Sequence, residues 1–418
     1  MKQYQQYSQK VRKIIDEVKS SNEPVLIFGA GRAGWYILKV LEHFNIKVAG
    51  FIDNNNNGKY EGYDVLTPGS YKNHPKSHIF LGVFKPNSSD KVAQQLRSFG
   101  FVGIKQGMDA FLFYYYEQVV KRNCDMAILA DSIAILFENY EEKPDHYGYT
   151  AHGNFVAPFT TVNITQKCSL DCIDCGQLIP YYKSPVNFSA ETIFSDVKQY
   201  AKAFDLVPEV SLHGGEPLMN KQMGEICEAV ATIPNIVFVS FVTNGTIVPS
   251  LKTITSLSRS GAALQQSDYK ELSPKQNEVF ELCREYKVYS DIDYTTESRM
   301  WDRYAPTKKY NRSDEENNKV YVDCVNSKIC CQIMDGELHR CAHSMHSARL
   351  GRIPKMDGDA VQLNRDESED EKLVSEIRGF FTRKNALGAC EHCDPNGSID
   401  VIPALQLEKK QIIKIRSI

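Results

Sequence analysis

Two spacings of apolar residues alternate along this chain. Over residues 6–20 they fall at helical intervals (Val11, Ile14, Ile15, Val18), and then Val25-Leu26-Ile27-Phe28 reads as a buried strand. A second helical stripe (Ile37, Leu38, Leu41, Phe44) precedes an apolar stretch over 47–52, and shorter ones follow over 78–83 and 102–104. Four strands therefore fit before residue 110, enough for a reduced parallel α/β unit. Residues 111–140 are helix-like and rich in aromatic side chains, and 141–158 is polar, with Pro144, Gly148, Gly153 and Pro158, as a linker would be. From Phe159 strand and helix alternate again. Strands are predicted over 159–165, 209–212, 236–242 and 262–266, with helices over 190–204 (Ser189 as N-cap) and 220–232. That alternation predicts a partial (β/α) barrel.

Composition narrows the partners. With 418 residues there is length for two or three cores. A net charge of −3 without a Lys/Arg stripe argues against nucleic acid. The polar N-terminus shows no secretory signal. The most apolar stretch, 127–137, is interrupted by Asp131 and too short to span a bilayer. The expectation is a cytoplasmic protein with no membrane partner.

Twelve cysteines change the picture. In a reducing compartment they are not a disulfide framework. Cys168, Cys172 and Cys175 form one tight group after the 159–165 strand, while Cys324, Cys330, Cys331, Cys341, Cys390 and Cys393 form another. Cys124, Cys227 and Cys283 stand alone in helix-like segments and read as small buried apolar residues. Three thiols on one loop can ligate three irons of a [4Fe–4S] cube, leaving the fourth iron open to a small molecule. A zinc knuckle is the alternative, but it wants a fourth ligand nearby, and the following residues supply none.

The Cys168/Cys172/Cys175 spacing resembles the cluster loop of the radical S-adenosylmethionine (radical SAM) superfamily. A second motif, Gly214-Gly215-Glu216-Pro217 at the end of the next predicted strand, resembles the loop that receives the SAM amino group in that superfamily. Glycines there allow close backbone approach, and carbonyls can accept from an ammonium. The resemblance further implies polar contacts to SAM at later strand ends, with Ser267 and Asp268 as first candidates and Thr243 and Asn244 as second. One departure stands out. Many members carry an aromatic before the third cysteine, where this chain has Asp174; Tyr181 or Tyr182 is the candidate replacement for stacking on adenine.

In the second group, Cys331 to Cys341 spans an Asp335-Gly336 hairpin turn, and Cys390 and Cys393 follow as a Cys-x-x-Cys. This resembles the twitch form of the SPASM extension, which holds one auxiliary [4Fe–4S] cluster. Cys341, Cys390 and Cys393 fit, and the fourth ligand is open between Cys324, which suits the longer first gap of that family, and Cys330 or Cys331, which lie nearer the turn. A four-cysteine structural zinc is the competing reading.

At the N-terminus, strand, Gly29-x-Gly31-x-x-Gly34, helix, strand and Asp53 fit the dinucleotide-binding fingerprint. With the turn over 54–58 and the segment 62–66, this stretch resembles the small Rossmann-like domains of sugar-modifying enzymes in bacterial polysaccharide pathways. Nucleotide-sugar binding and a module that binds nothing are the two readings, with NAD behind both. The expected architecture is α/β: a Rossmann-like domain (1–120), a helical linker (121–158), a partial (β/α)6 radical SAM barrel (159–315) and a twitch/SPASM-like α+β cluster domain (316–418).

The resemblance implies reductive cleavage of SAM to a 5′-deoxyadenosyl radical, fed by a flavodoxin- or ferredoxin-type donor. The expected reaction is oxidation or epimerisation at a carbinol carbon of a small-molecule sugar or nucleotide-sugar substrate, an oxidoreductase chemistry. Two alternatives remain: a SPASM-type peptide-modifying maturase, and a zinc-stabilised nucleotide-sugar-binding protein without catalysis. No catalytic side chain is singled out by the sequence.

Overall fold

The structure is a computed structural model that describes residues 2–55, 57–71, 74–83, 86–107, 148–149, 155–293, 301–302, 308–324, 326–327, 330–394, 400–408 and 410–412. The segment expected as a helical linker, with the aromatic run before it and Cys124, lies outside the described residues apart from 148–149 and 155–158. The chain forms two compact units, Met1–Lys143 and Pro144–Ile418.

The first unit comprises α1 (Lys2–Ser20), β1 (Val25–Phe28), α2 (Arg32–His43), β2 (Gly50–Ile52), β3 (Gly58–Tyr60), β4 (Tyr63–Leu66), β5 (His78–Leu81), α3 (Pro86–Ser98) and β6 (Gly103–Gln106). Its sheet has the order β3-β4-β2-β1-β5-β6, all parallel except the β3–β4 hairpin. Six strands are present where the apolar pattern predicts four. The two missed are short and largely exposed, so they carry no apolar alternation, and Glu61 and Gly62 turn them at positive φ. Residues of α1 and α2 pack on one face of the sheet, and those of α3 on the other. The strand order reverses between β1 and β5, beside the glycine loop that follows β1. Ligands bind at such a switch point in open α/β sheets.

The second unit continues with β7 (Gly148–Tyr149), β8 (Phe155–Val156), β9 (Phe159–Thr165), α4 (Ala190–Ala201), β10 (Val207–Gly214), α5 (Met223–Val230), β11 (Ile236–Thr243), α6 (Leu251–Ser260), β12 (Ala263–Ser267), α7 (Gln276–Glu285) and β13 (Ser290–Asp293). After β14 (Trp301–Asp302) and α8 (Asp314–Asp323) come β15 (Cys330–Met334), β16 (Glu337–His339), β17 (Ala360–Gln362), α9 (Asp370–Thr382) and β18 (Asp400–Val401). The strands from β9 to β13 pair in sequence and in parallel. This is the partial barrel that the alternation predicts. Its sixth parallel strand is β15, which joins the free edge of β9 and leads into the antiparallel β16 and β17. Ser189 caps α4 by accepting from the Thr192 N–H, as the sequence predicts. The hairpin turn at Asp335-Gly336 also forms, with both residues at positive φ.

One hydrophobic core runs from Phe155 to Ala389. Val162, Ile164, Val210, Leu212, Val239 and Phe241 point from the barrel strands into it, against Ile193, Val197, Ile226 and Ile254 of the helices. Strand alternation then turns Thr161, Asn163, Glu209, Ser211, His213 and Ser240 to the inner face. These six positions are polar, and Phe238 and Val242 fall on the same face. Among the described residues no helix is long and apolar enough to cross a membrane.

Candidate functional site

The loop after β9 carries Cys168, Cys172 and Cys175, all free thiols. Leu170 and Cys172 are buried with Ala404, and Cys168, Cys175, Tyr269, Leu272 and Trp301 pack against them. Burial pushes the Cys168 and Cys172 thiols up to about 12, with repulsion from Cys175 adding to both, and burial raises Cys175 too. Thiols crowded together in this way and cut off from water are poor thiolates by themselves. Cationic iron is what makes them good ligands.

The glycine pair is built into this loop. Gly214 sits at φ +139°, and a Cβ there would lie 2.1 Å from the Thr165 carbonyl oxygen; one on Gly215 would lie 2.1 Å from that of Lys167 and 2.8 Å from Cys168 Cβ. The backbone of 214–216 thus lies flat against the residues leading into the cysteines, with Gly215 N–H donating to Thr165 O and Glu216 N–H to Lys167 O. Pro217 opens a short 3-10 turn. Glu216, fully buried, accepts from the backbone N–H groups of Leu218 and Asn244 and from Thr243 Oγ1. Burial lifts its carboxyl to about 7 against the pull of those donors. Its carboxylate therefore holds the end of β11 to the glycine loop.

Asn244 is drawn to the cysteine loop, while Thr243 is held by Glu216. Asn244 Nδ2 donates to Ser169 Oγ at 3.0 Å and toward Cys168 Sγ at 3.7 Å. Ser267 ends β12, and its carbonyl accepts from Ser273 Oγ. Asp268 is engaged by Lys270, through Nζ at 2.8 Å and the backbone N–H at 3.0 Å. Both tyrosines proposed for stacking already have partners. Tyr181 lies under the Arg352 guanidinium at 3.8 Å, and Tyr182 is buried with its hydroxyl on His346 Nδ1. The aromatics that do border the cysteines are Tyr269 and Trp301, which meet edge to face.

The sequence gives no sign of the segment that closes this loop from below. Leu405 O accepts from Ile173 N–H, Leu407 N–H donates to Asp171 O, and Gln406 bonds three times through its side chain, one of them from Nε2 to Ala404 O at 2.7 Å. Its Oε1 accepts from Asp171 N–H at 2.8 Å, and its Nε2 donates to Cys172 Sγ at 3.3 Å. The inner face of the barrel was missed as well. His213 Nε2 is 2.9 Å from Ser211 Oγ, Ser211 is 3.1 Å from Ser240 Oγ, and Ser240 donates to Glu209 at 2.5 Å. Run in that direction the chain puts the proton of His213 on Nε2 and leaves Nδ1 with its lone pair. Burial lowers His213 to about 4, so the ring is neutral near pH 7.

The second cysteine group surrounds a cavity lined by Cys324, Cys341, Cys390 and Cys393, together with Tyr321, Arg340 and His343. Asp359 accepts from the Gly388 and Ala389 N–H groups, and Arg312 donates to the Cys393 carbonyl, fixing the Cys390–Cys393 turn. Of the alternative ligands, Cys331 points to the helix side, where its sulfur lies 3.3 Å from the Tyr200 hydroxyl. Cys330 bonds the Asn326 carbonyl. Among the described residues no three His, Cys, Asp or Glu side chains converge on a point as they would around a single ion. Three thiols on one loop and four around one cavity are the donor type that a four-iron cube takes.

At the N-terminus, Gly34 is pressed to within 2.0 Å of the Gly29 carbonyl oxygen by the measure of an added Cβ, while Gly31 faces open space as the residue before α2. Asp53 accepts from the backbone N–H groups of Ala30 and Asn55. Its carboxylate thereby braces the glycine loop from inside the chain.

Residues 162–265 match the family described as "Radical SAM superfamily". The matched segment holds the cysteine loop, the glycine pair and most of the run from β9 to β12, and the cofactors that go with it are a [4Fe–4S] cluster and SAM. The GTP 3',8-cyclase of Clostridium acetobutylicum is 28% identical over 102 residues, 24% of this chain and 31% of that protein. The chain thus spans about a third of the length of this curated relative. Among solved structures, BtrN in complex with AdoMet and 2-DOIA aligns at 13% identity and a TM-score of 0.37, covering 61% of this chain and 98% of that one. The anSMEcpe enzyme with bound AdoMet and Cp18Cys peptide aligns at 16% and 0.34, covering 62% and 95%.

Proposed function

We propose that this chain is a radical SAM oxidoreductase or epimerase acting on a carbinol carbon of a nucleotide-linked sugar. The observation that carries the reading is the pairing of two cysteine sites in one compact unit. One is a three-thiol loop at the barrel mouth, and the other is a cavity lined by four thiols. Three ligands leave a position for SAM; four leave none and suit electron transfer. When bound, the cluster and SAM supply hydrogen abstraction from an unactivated carbon.

Cys168, Cys172 and Cys175 hold the first cluster, with Gln406 and Asn244 donating to their sulfurs. Gly214 and Gly215 let the backbone carbonyls approach the SAM amino group. Tyr269 and Trp301 wall the cysteine loop from water. In the lumen, Nδ1 of His213 takes the hydroxyl proton of the carbinol, and Ser211 and Ser240 relay the positive charge toward Glu209. Cys324, Cys341, Cys390 and Cys393 hold the second cluster, which suits dehydrogenation to a ketone. The fold of the first unit, with a switch point beside its glycine loop, supports a nucleotide-linked substrate over a peptide.

Incubating the anaerobically reconstituted protein with SAM, reductant and UDP- or GDP-sugars tests this reading. 5′-Deoxyadenosine should rise above background with a sugar, one per oxidised sugar for a dehydrogenase. A His213→Gln variant should lose about 10²-fold in sugar turnover while still cleaving SAM. Stimulation by peptides alone would contradict the sugar assignment, and full turnover by the variant would remove His213 from the mechanism.

A further inference from the structure

Arg340 poses a problem that the four thiols beside it answer. It sits between β16 and Cys341, only 5% exposed, and lines the cavity shared by Cys324, Cys341, Cys390 and Cys393. Its guanidinium stacks over the Phe381 ring at 4.6 Å, which fixes the plane of the fork. Nε and Nη1 are both buried and have no hydrogen-bond acceptor among the described residues. No described carboxylate forms an ion pair with it. A guanidinium keeps its charge under all ordinary conditions, so it cannot escape burial by losing a proton. A buried, unpaired cation is strongly unfavourable, and proteins retain one where an anion is to be bound.

The neighbouring carboxyl does not serve. Asp359 lies near the same turn, but both of its oxygens accept from the Gly388 and Ala389 N–H groups. What remains is the cavity. A [4Fe–4S]2+ core with four thiolates carries a net charge of about −2, and its sulfurs accept hydrogen bonds. We propose that Arg340 is the built-in counter-cation of the second cluster, donating through Nε and Nη1 to its sulfurs and holding its potential up. This inference rests on the four-cysteine cavity holding an iron–sulfur cluster. It adds a positioning residue that the cysteine spacing does not reveal. The donation is charge-assisted and geometrically fixed, so it favours the more electron-rich, reduced state of the cluster.

Two signs of opposite direction follow. In the metal-free chain the guanidinium is a liability, and Arg340→Met should raise the urea midpoint of unfolding. In the cluster-bound chain the same substitution should lower the midpoint potential of the second cluster and speed its loss to a chelator. Arg340→Lys keeps the charge but not the fork, and should fall between the two. The measurement is made on the full chain with Cys168, Cys172 and Cys175 all changed to Ala, so that the second cluster is the one observed. Anaerobic reconstitution, iron analysis and a potentiometric titration followed by electron paramagnetic resonance give the readouts, and apo unfolding is measured alongside.

The expected result is four irons in the parent, a more negative potential in Arg340→Met and a more stable apo variant. Iron present with an unmoved potential, or an apo variant less stable than its parent, overturns the role of Arg340 while leaving the cluster assignment intact. No iron in the parent chain overturns the cluster assignment and the role of Arg340 with it.

Discussion

Several side chains spend stability on holding the site in place, and Asp196 shows how. It lies buried in α4, where its Oδ2 accepts from the Gly336 N–H of the hairpin turn at 2.9 Å, while Oδ1 has no partner among the described residues. Burial, with the nearby Asp335 adding, raises its carboxyl to about 6 from 3.8. The folded state therefore binds the proton more tightly than the unfolded chain. Stability is lost as pH rises from about 4 through about 6, and the full difference is roughly 3 kcal/mol. An Asp196→Asn variant keeps an acceptor for Gly336 and removes the titration. Urea unfolding should show it matching the wild type near pH 4 and exceeding it by about 2 to 3 kcal/mol at pH 7.5. A pH-independent difference would contradict the account. None of this can be read from the sequence, since an aspartate in a helix is ordinarily on the solvent side.

At the scale of elements, the segment around Gln406 is the piece that joins the cysteine loop to the end of the chain. Backbone bonds on both sides of Cys172 hold it, and the Gln406 amide reaches the sulfur itself. A Gln406→Glu variant keeps the acceptor for Asp171 N–H, loses the donor to Cys172 and adds a negative charge. It should release iron from the first site faster than wild type under a chelator; an unchanged rate would contradict the role assigned to this segment. The elements that were legible in sequence share a physical cause. Strands β9, β10, β11 and β12 carry apolar residues on their helix side, and Ser189 is a cap because its hydroxyl satisfies an orphan N–H. The pieces that were not legible, β3, β4 and residues 404–407, are short, exposed or tied by backbone bonds, none of which leaves a periodic pattern. Long-range partners such as Ser211 with Ser240, or Arg340 with the cavity, depend on strand register that a single sequence does not display.

For the whole molecule, the two cysteine groups, separated by some 150 residues in sequence, become two gathered sites in one compact unit. The spacing of Cys168, Cys172 and Cys175 announced the first directly, because three ligands of one cluster have to sit on one loop. The second needed the fold, which brings Cys324 and Cys341 to Cys390 and Cys393 and turns Cys331 away. The central claim is that the three-thiol loop holds a cluster with one iron open to SAM. It is tested most directly by assaying anaerobically reconstituted wild type and Cys168→Ala for reductive conversion of SAM to 5′-deoxyadenosine. The account predicts about eight irons per chain and SAM cleavage in the wild type, with about four irons and no cleavage above background in the variant. Zinc at the three thiols, or cleavage by the variant at the wild-type rate, would contradict it.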